Sequence, residues 1–470
     1  MSEIEDAVDA ADELAPLTDA IAAALPSGWK LETLGSLCEK SQYGWTTKAD
    51  KDGQGVKFLR TTDITPGVVD WERVPFCVKA PPDLEKYLIR EGDLLISRTG
   101  SIGVNYLVSN PEPAVFASYL IRFRPKKSIS TKYLRYYLQS PTYWRAIAAG
   151  KKGIAVQNVN ATMLSKIPVP VAPDSEQLEI VAEIEKQFSR LDEAVANLQR
   201  VKANLKRYKA SVLKDAVEGR LVPTEAELAR REGRSFETGE QLLQRILETR
   251  RSQWKGRGRY KEPEPANLST LPVPPDGWHW FSIDQLTSVV TDGEHITPTR
   301  SSSGVLLLSA RNVLNGRLAL EDVDYVPEEE YRRISQRLSI QEGDVLLSCS
   351  GTVGRTCVVP AGMRFGLVRS VAVLRTVHVV PEFLCFQLQS PFGQSQIDDR
   401  KTQTAQANLF QGKIRQLVVA VPPIDEQRRL VAEAERRLSL IRSVETEVDI
   451  NLKRARALRQ ATLHKAFEAS

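Results

Sequence analysis

Histidine and cysteine are scarce in this chain of 470 residues, with four of the first and five of the second. The cysteines (Cys38, Cys77, Cys349, Cys357, Cys385) are odd in number and show no CxxC spacing, which argues against a disulfide framework and a structural zinc site. His279, His295, His378 and His464 lack sequence-near partners for a catalytic triad or a metal; His464 reads as a solvated or interface residue, and His279, beside Trp278, as part of a core turn. Also missing are GxxxxGK(S/T), a GxGxxG that opens a helix after a strand, HExxH, and the NPP-aromatic motif of base methylation. No catalytic constellation remains. No apolar stretch approaches the roughly 20 residues that span a bilayer. The short run IAAAL at 21–25 follows an acidic leader where a secretory signal has a basic one, so the expected location is the reducing cytoplasm.

What is present is charge, unevenly spread. The net charge of +5 is mild, yet residues 1–29 hold seven acids and no Lys or Arg, whereas residues 200–261 hold 17 Lys/Arg against 8 Asp/Glu. Such a balance permits nucleic-acid binding without requiring it. The basic runs at 200–209 and 250–261 read first as a solvated helix face or a docking surface, with phosphate contact as the alternative. The hydrophobic content of 42% supports real cores in a chain long enough for about two to four domains.

The chain is also a repeat. EGDLLISRTGSIGV at 91–104 returns as EGDVLLSCSGTVGR at 342–355, an offset of 342 − 91 = 251. PSGWKLETLGSL (26–37) pairs with PDGWHWFSIDQL (275–286) and FLRTTDITPG (58–67) with LLSARNVLNG (307–316), both at 249. YLRYYLQSP (133–141) pairs with FLCFQLQSP (383–391) and IPVPVAPDSEQLEIVAEIE (167–185) with LVVAVPPIDEQRRLVAEAE (417–435), both at 250. Offsets that drift by one or two residues indicate loop indels in a duplicated domain.

Each copy has two parts. The first, 25–173 and 271–423, mixes short apolar or alternating runs with Gly/Pro/Asn turns and one helix-like segment at LQSP, which reads as a mostly β, α+β domain. The Gly-rich stretch leads into VNYLVS or RTCVVP, so it reads as a hairpin; a phosphate cradle opens a helix and supplies a Lys. Asp93 and Asp344, just after Gly at the strand starts, read as turn residues. Trp29 and Trp278 read as core.

The second part, 174–270 and 424–470, is led by a long helix. Val181, Ile184, Phe188, Leu191, Val195 and Leu198 recur at spacings of three and four, and Leu205, Tyr208 and Val212 continue after a slip. Val431, Ala434, Leu438, Ile441, Val448, Leu452, Ala455 and Leu458 form the matching stripe. Ser175 or Asp425 is placed to cap, and Glu176 or Glu426 complements the helix dipole in the first turn. Such a rod runs about 65 Å at ~1.5 Å per residue, about two turns of B-DNA. TEAELARRE (224–232) and TGEQLLQRILETRRSQW (238–254) open with capping boxes, and 255–278 reads as a basic, Pro-rich linker. The acidic segment 1–24 lies outside the repeat and reads as a helix against a partner or as disordered.

Two PxGW starts, two DLLISRTGSIG-type hairpins and two P-(x)n-EQ-x-x-(I/L)-V helix starts, in this order and over about 25–470, resemble the specificity subunit of Type I restriction-modification enzymes. The resemblance implies an α+β tandem, pseudo-two-fold repeat: two mixed α/β, mostly β target recognition domains separated by two long antiparallel coiled-coil helical regions. It implies that each domain reads half of a bipartite double-stranded DNA target and that the chain itself is not catalytic. The helices dock two modification (methyltransferase) subunits, and restriction (translocase/nuclease) subunits are recruited. S-adenosylmethionine, ATP and Mg belong to those partners, with no cofactor in this chain and no membrane involved. Helix–helix packing falls to Val181, Ile184, Phe188, Leu191, Leu198, Leu205, Val431, Leu438, Ile441, Val448 and Leu452. A protein–protein scaffold built on paired coiled-coil rods is the competing reading.

Loop position and side-chain chemistry nominate the DNA contacts. In the first copy they are Gln42, Tyr43, Trp45, Thr46, Lys48, Arg60, Thr61, Asp63, Arg98, Thr99, Ser101, Lys151, Lys152 and Gln157. In the second they are Glu294, His295, Thr297, Arg300, Ser309, Arg311, Asn312, Ser350, Thr352 and Lys401, in loops that also hold Asp292 and Cys349. Asn158 and Asn408 fit equally as cap residues.

Overall fold

The computed structural model describes residues 14–150, 158–256, 258–269, 271–402 and 407–467. The chain divides into two compact units, Met1–Gln199 with Asp449–Ser470, and Arg200–Val448.

In the first unit an antiparallel sheet runs Gln42–Tyr43, Leu120–Phe123, Leu94–Ser97, Asn105–Leu107. In the second, Thr287–Asp292, Val371–Thr376, Val345–Ser348 and Thr356–Val358 pair in the same order. A further sheet in each unit joins Lys57–Leu59 to Ala114–Phe116, or Val305–Leu308 to Phe365–Leu367, by a parallel ladder. A two-stranded pair closes each globular region, Lys30–Thr33 with Pro168–Val171 and His279–Ser282 with Val418–Val421. Both Gly-rich stretches are hairpins: Gly103 N–H donates to Ser97 O and Gly354 N–H to Ser348 O, each at 2.9 Å. Gly100 and Gly103, like Gly351 and Gly354, have φ between +71° and +96°, a left-handed backbone that favours glycine at these turns.

Asp93 and Asp344 do more than turn the chain. Each carboxylate is 1% exposed and accepts a backbone N–H three residues back, from Arg90 or Gln341. Each also takes both arms of a guanidinium, Arg124 at 2.7 and 3.1 Å or Arg375 at 2.8 and 2.8 Å. The LQSP segments hold two helices each, Thr131–Tyr137 then Pro141–Ala149, and Pro381–Gln389 then Pro391–Arg400. This corrects the single helix expected: buried Ser140 and Ser390 accept from Tyr143 N and Gly393 N, and the following Pro occupies the first helical position, where its missing N–H costs nothing.

The long helices are Asp174–Val217 and Ile424–Phe467, 44 residues each. They start at Asp174 and Ile424, so Ser175 and Asp425, expected as caps, sit inside the first turn. Pro173 and Pro423 carbonyls accept the first helical bonds, from Gln177 and Gln427. The Glu-Gln pair then ties the helix to its unit. Gln177 accepts from Ser130 N and donates to Ala172 O; Gln427 accepts from Val380 N and donates to Pro422 O. Glu176 accepts the Trp29 indole N–H at 3.1 Å and Glu426 that of Trp278 at 2.8 Å, so the PxGW and EQ motifs of each copy bond to each other. Trp278 is buried; Trp29 is half-buried against the core.

In the first unit Val181, Ile184 and Phe188 pack with Leu463 and Phe467, and Leu191 lies against them. Gln187 to Thr462 and Asp192 to Arg459 fix an antiparallel register there. In the second, Val212, Leu213 and Ala216 share a core with Leu430, Ala434, Leu438 and Ile441, flanked by Leu205 and Val431. Val448 is buried, and Leu198 and Leu452 are half-buried. Tyr208 and Leu458, expected in the stripe, are exposed, because a straight 3.6-residue helix drifts off a 3.5-residue seam.

Residues 14–23 form a helix, and buried Leu14 joins the first unit's core beside Leu463 and Phe467. This part of the acidic segment thus packs on its own unit. Helices Glu225–Glu232 and Gly239–Ser252 carry the expected capping boxes. The linker after them is pinned in places: Glu264 N–H bonds Asp284 and Ala266 N–H bonds Gln285.

Glu426 is fully buried and burial pushes its carboxyl up to about 7, against the opposing hydrogen bonds from Glu225 N–H and the Trp278 indole and the nearby Arg429. A carboxyl raised from 4.5 to about 7 contributes stability that is complete below pH ~4.5 and lost as pH rises through ~7, about 3 kcal/mol in all. Urea unfolding across this window is expected to show the loss in the wild-type chain and not in Glu426→Gln.

Candidate nucleic-acid interface

In the second unit three of the nominated loops meet around an open cavity of about 880 Å³. Asp292 to Arg300 form one wall, Cys349 and Ser350 the floor, and Asn408 to Gly412 the opposite wall. Backbone contacts fasten them. Leu409 N–H donates to Cys349 O at 2.8 Å, Cys349 N–H to Ser370 O at 2.9 Å, and Ser350 and Asn408 form an isolated bridge.

His295, Thr297 and Arg300 are exposed on the first wall. His295 Nε2 lies 3.0 Å from Asp292 Oδ1, and Arg300 is 3.2 Å from Asp324. Arg311, outside the cavity, pairs with the same Asp324 at 3.1 Å. Thr352 is exposed beyond the cavity, and Lys401 pairs with Asp398 at 2.6 Å. Three nominated residues are instead held by the protein itself. Asn312 is 1% exposed, its amide donates to Ala319 O and Asp322 O, and its oxygen accepts from Ser309 N–H, so Asn312 and Ser309 build the local turn. Glu294 is 7% exposed and its carboxylate turns back to Ile296 N–H and Arg333.

The segment the sequence reading passed over is Val368–Ser370, which supplies the exposed Arg369 to the cavity. Its signal was an Arg within the apolar stretch between the Phe365–Leu367 and Val371–Thr376 strands. Ile296 and Phe410, 68% and 63% exposed at the same cavity, were missed too; apolar groups there suit the thymine methyl, the apolar feature of the major groove. Burial pushes the Cys349 thiol up to about 12, so it is neutral where the first copy has Arg98. Arg369 places a cation in this cleft from a different loop.

The first unit gathers equivalent loops. Arg98 lies over the Tyr43 ring at 5.0 Å, its Nε reaches Asn158 at 3.3 Å, and Val159 N–H donates to Arg98 O. Tyr43 OH accepts from Ala161 N–H, and Gln42 donates to Tyr43 O. The Trp45 indole donates to Lys79 O at 2.8 Å. Thr46 and Lys48 are exposed, and Tyr119, 60% exposed, joins them as a residue not nominated. Arg60 is held bidentate by Asp63, which raises the guanidinium pKa through that side-chain hydrogen bond and leaves Asp63 turned inward. Thr61 is 3.5 Å from Ser97, and Thr99 and Ser101 are half-buried on the hairpin. Lys151, Lys152 and Gln157 lie outside the described residues.

Comparison with known proteins gives these loops a context. Residues 26–207 match the family model described as Type I restriction modification DNA specificity domain. The chain is 23% identical over 396 residues to the Type I restriction enzyme EcoBI specificity subunit of Escherichia coli, covering 82% of this chain and 74% of that protein. It is 21% identical over 459 residues to the EcoKI specificity subunit of Escherichia coli K12, covering 94% and 89%. The chain is similar over most of its length to Type I specificity subunits. A solved chain from work on complex assembly and conformational transition of the type I R-M system shares the fold at TM-score 0.61 and 18% identity, over 94% of this chain and 98% of that one. The matching family model is described by DNA specificity, and both relatives are named as specificity subunits of Type I restriction enzymes. No helix among the described residues is long and apolar enough to cross a membrane.

Proposed function

We propose that this chain is a Type I specificity subunit that reads a bipartite double-stranded DNA target. One half is read by the domain at 25–173 and the other by that at 271–423, while the helical regions at 174–270 and 424–470 direct partner subunits to the site. The observation that carries the reading is one sheet order in both units with different side chains on equivalent loops: Arg98 against Cys349, Thr46 against His295. A shared scaffold with different lining is what two unlike half-sites require. The partners are two modification subunits, which use S-adenosylmethionine to methylate adenine, and restriction subunits, which use ATP and Mg, all in the cytoplasm. Exposed Leu440 and Val444, one turn apart on the second long helix, suit partner docking.

Methylome sequencing of cells carrying the chain with its modification partner is expected to reveal one new asymmetric, bipartite adenine mark. Absence of any such mark overturns the reading. Binding by the purified complex is expected to fall steeply and linearly in log[salt], since phosphate contacts release counterions. A salt-independent interaction instead supports the scaffold.

A further inference from the structure

We infer that Tyr43 and Trp45 in one unit, and Asp292 and Glu294 in the other, are positioning residues that aim the DNA-reading loops rather than read bases themselves. The inference rests on the DNA-recognition reading of these clefts. The two pairs are equivalent, since 292 − 43 and 294 − 45 both equal 249, the offset of the flanking repeat. Their backbone frames coincide. Gly44 N–H donates to Leu120 O and Gly293 N–H to Val371 O; Trp45 N–H donates to Phe116 O and Glu294 N–H to Leu367 O, both at 2.7 Å. Between them, a Cβ on Gly44 would lie 2.2 Å from Ala117 O and one on Gly293 2.4 Å from Leu367 O, so neither glycine tolerates a side chain.

The side chains on either side of that glycine then brace the loop against the same two neighbours by different chemistry. The first position reaches the short helix that closes the cleft. Tyr43 OH accepts the N–H of Ala161, first residue of the Ala161–Ser165 helix, and Asp292 Oδ1 accepts from Gln411, first residue of the Gln411–Arg415 helix, at 2.6 Å. Asp292 Oδ1 also takes His295 at 3.0 Å and Arg337 at 3.4 Å, so donors from three separate segments converge on one oxygen. The second position reaches the helix behind the loop. The Trp45 ring meets Tyr87 of the Leu84–Tyr87 helix edge-on at 5.4 Å, and Glu294 pairs with Arg333 of the Glu328–Arg337 helix at 3.5 Å.

One loop is therefore held by aromatic and neutral contacts and the other by charge. Asp292 and Glu294, as anions, are poorly suited to lie against phosphates; Glu294 has one oxygen on Ile296 N–H and the other on Arg333, and Asp292 Oδ1 is engaged by three donors. Readout falls to the exposed residues that follow: Thr46 and Lys48 in one unit, His295, Thr297 and Arg300 in the other.

The test uses the full chain with its modification partner and duplexes carrying single base-pair changes in either half of the methylome-defined target. The ratio of mismatch to target Kd is measured for each half. Asp292→Ala is expected to lower discrimination about tenfold in one half only, because a lost base contact is worth about that factor. Asp292→Asn, which keeps an oxygen for Gln411 and His295, restores most of it, and Tyr43→Phe lowers discrimination in the opposite half. A general folding defect would weaken both halves together and gain nothing from the Asn variant, and that pattern overturns the assignment. If Arg300→Ala relaxes its half-site while Asp292→Ala and Tyr43→Phe change nothing, positioning fails and the DNA reading stands. If none of the three changes either half, the clefts are not the DNA interface and both readings fall.

Discussion

Replacing Asp344 with alanine is expected to lower the stability of the second unit by about 3 kcal/mol, the low end for breaking a buried ion pair by removing one partner. The carboxylate is 1% exposed and accepts three hydrogen bonds, two from Arg375 at 2.8 Å each and one from Gln341 N–H at 2.8 Å. Alanine removes both acceptor oxygens and with them all three bonds. Arg375 keeps its bond to Ser339 O and is 25% exposed, so water reaches part of its guanidinium and the loss stays at the lower bound. The Gln341 N–H is left to find another acceptor at the mouth of a strand. That strand, Val345–Ser348, is buried along its whole length and leads into the hairpin whose tip carries Ser350 and Thr352, so the defect reaches the cleft. Hydrogen exchange read by mass spectrometry is expected to show faster opening of Val345–Ser348, with Leu94–Ser97 of the other unit as the reference. Unchanged protection of Val345–Ser348 would mean that the ion pair contributes little beyond its desolvation cost.

This ion pair also marks where reading along the chain stops. The hairpins, the capping boxes and the rod stripes depend on neighbours within a few residues and the repeat on matching segments, and those were legible. Asp93 and Arg124 are 31 residues apart, as are Asp344 and Arg375, and nothing local distinguishes a turn Asp from one that is buried against a guanidinium. The duplication held a usable trace, since both members of the pair recur together at offset 251.

In the cleft the loops were legible by position, whereas the direction of each side chain was not. Glu294 and Asn312 look like polar loop residues until Arg333, Ala319 and Asp322 are seen to claim them. Asp292 is defined by His295, Arg337 and Gln411, partners three, 45 and 119 residues away. Arg369 entered the cleft from a segment that reads as buried strand. Loop position therefore located the cleft, and only the tertiary contacts separated side chains left exposed there from those that hold the loop.

Phe467→Ala is expected to cost the first unit about 3–5 kcal/mol, the range for deleting a buried phenylalanine that leaves a cavity. Phe467 is 4% exposed, and its ring meets Tyr133 at 5.1 Å and Tyr137 at 5.5 Å, both edge-on. Those tyrosines are fully buried, and their hydroxyls are anchored on Pro170 O and Pro168 O, so they cannot swing into the vacated volume without giving up buried hydrogen bonds. Edge-to-face contacts add about 0.5–1.5 kcal/mol per pair beyond burial, which places the loss in the upper part of the range. The same core holds Leu14 and Leu463, so the N-terminal helix at 14–23 loses a packing partner as well. The measurement is the urea midpoint of the full chain, together with exchange protection of Thr131–Tyr137, set against Pro381–Gln389, whose core does not contain Phe467. A Phe467→Leu variant keeps most of the volume without the aromatic edges and is expected to recover more than half of the loss. Full recovery would assign the effect to volume alone, and no loss in the alanine variant would mean that the end of the chain is not a structural part of the first recognition unit.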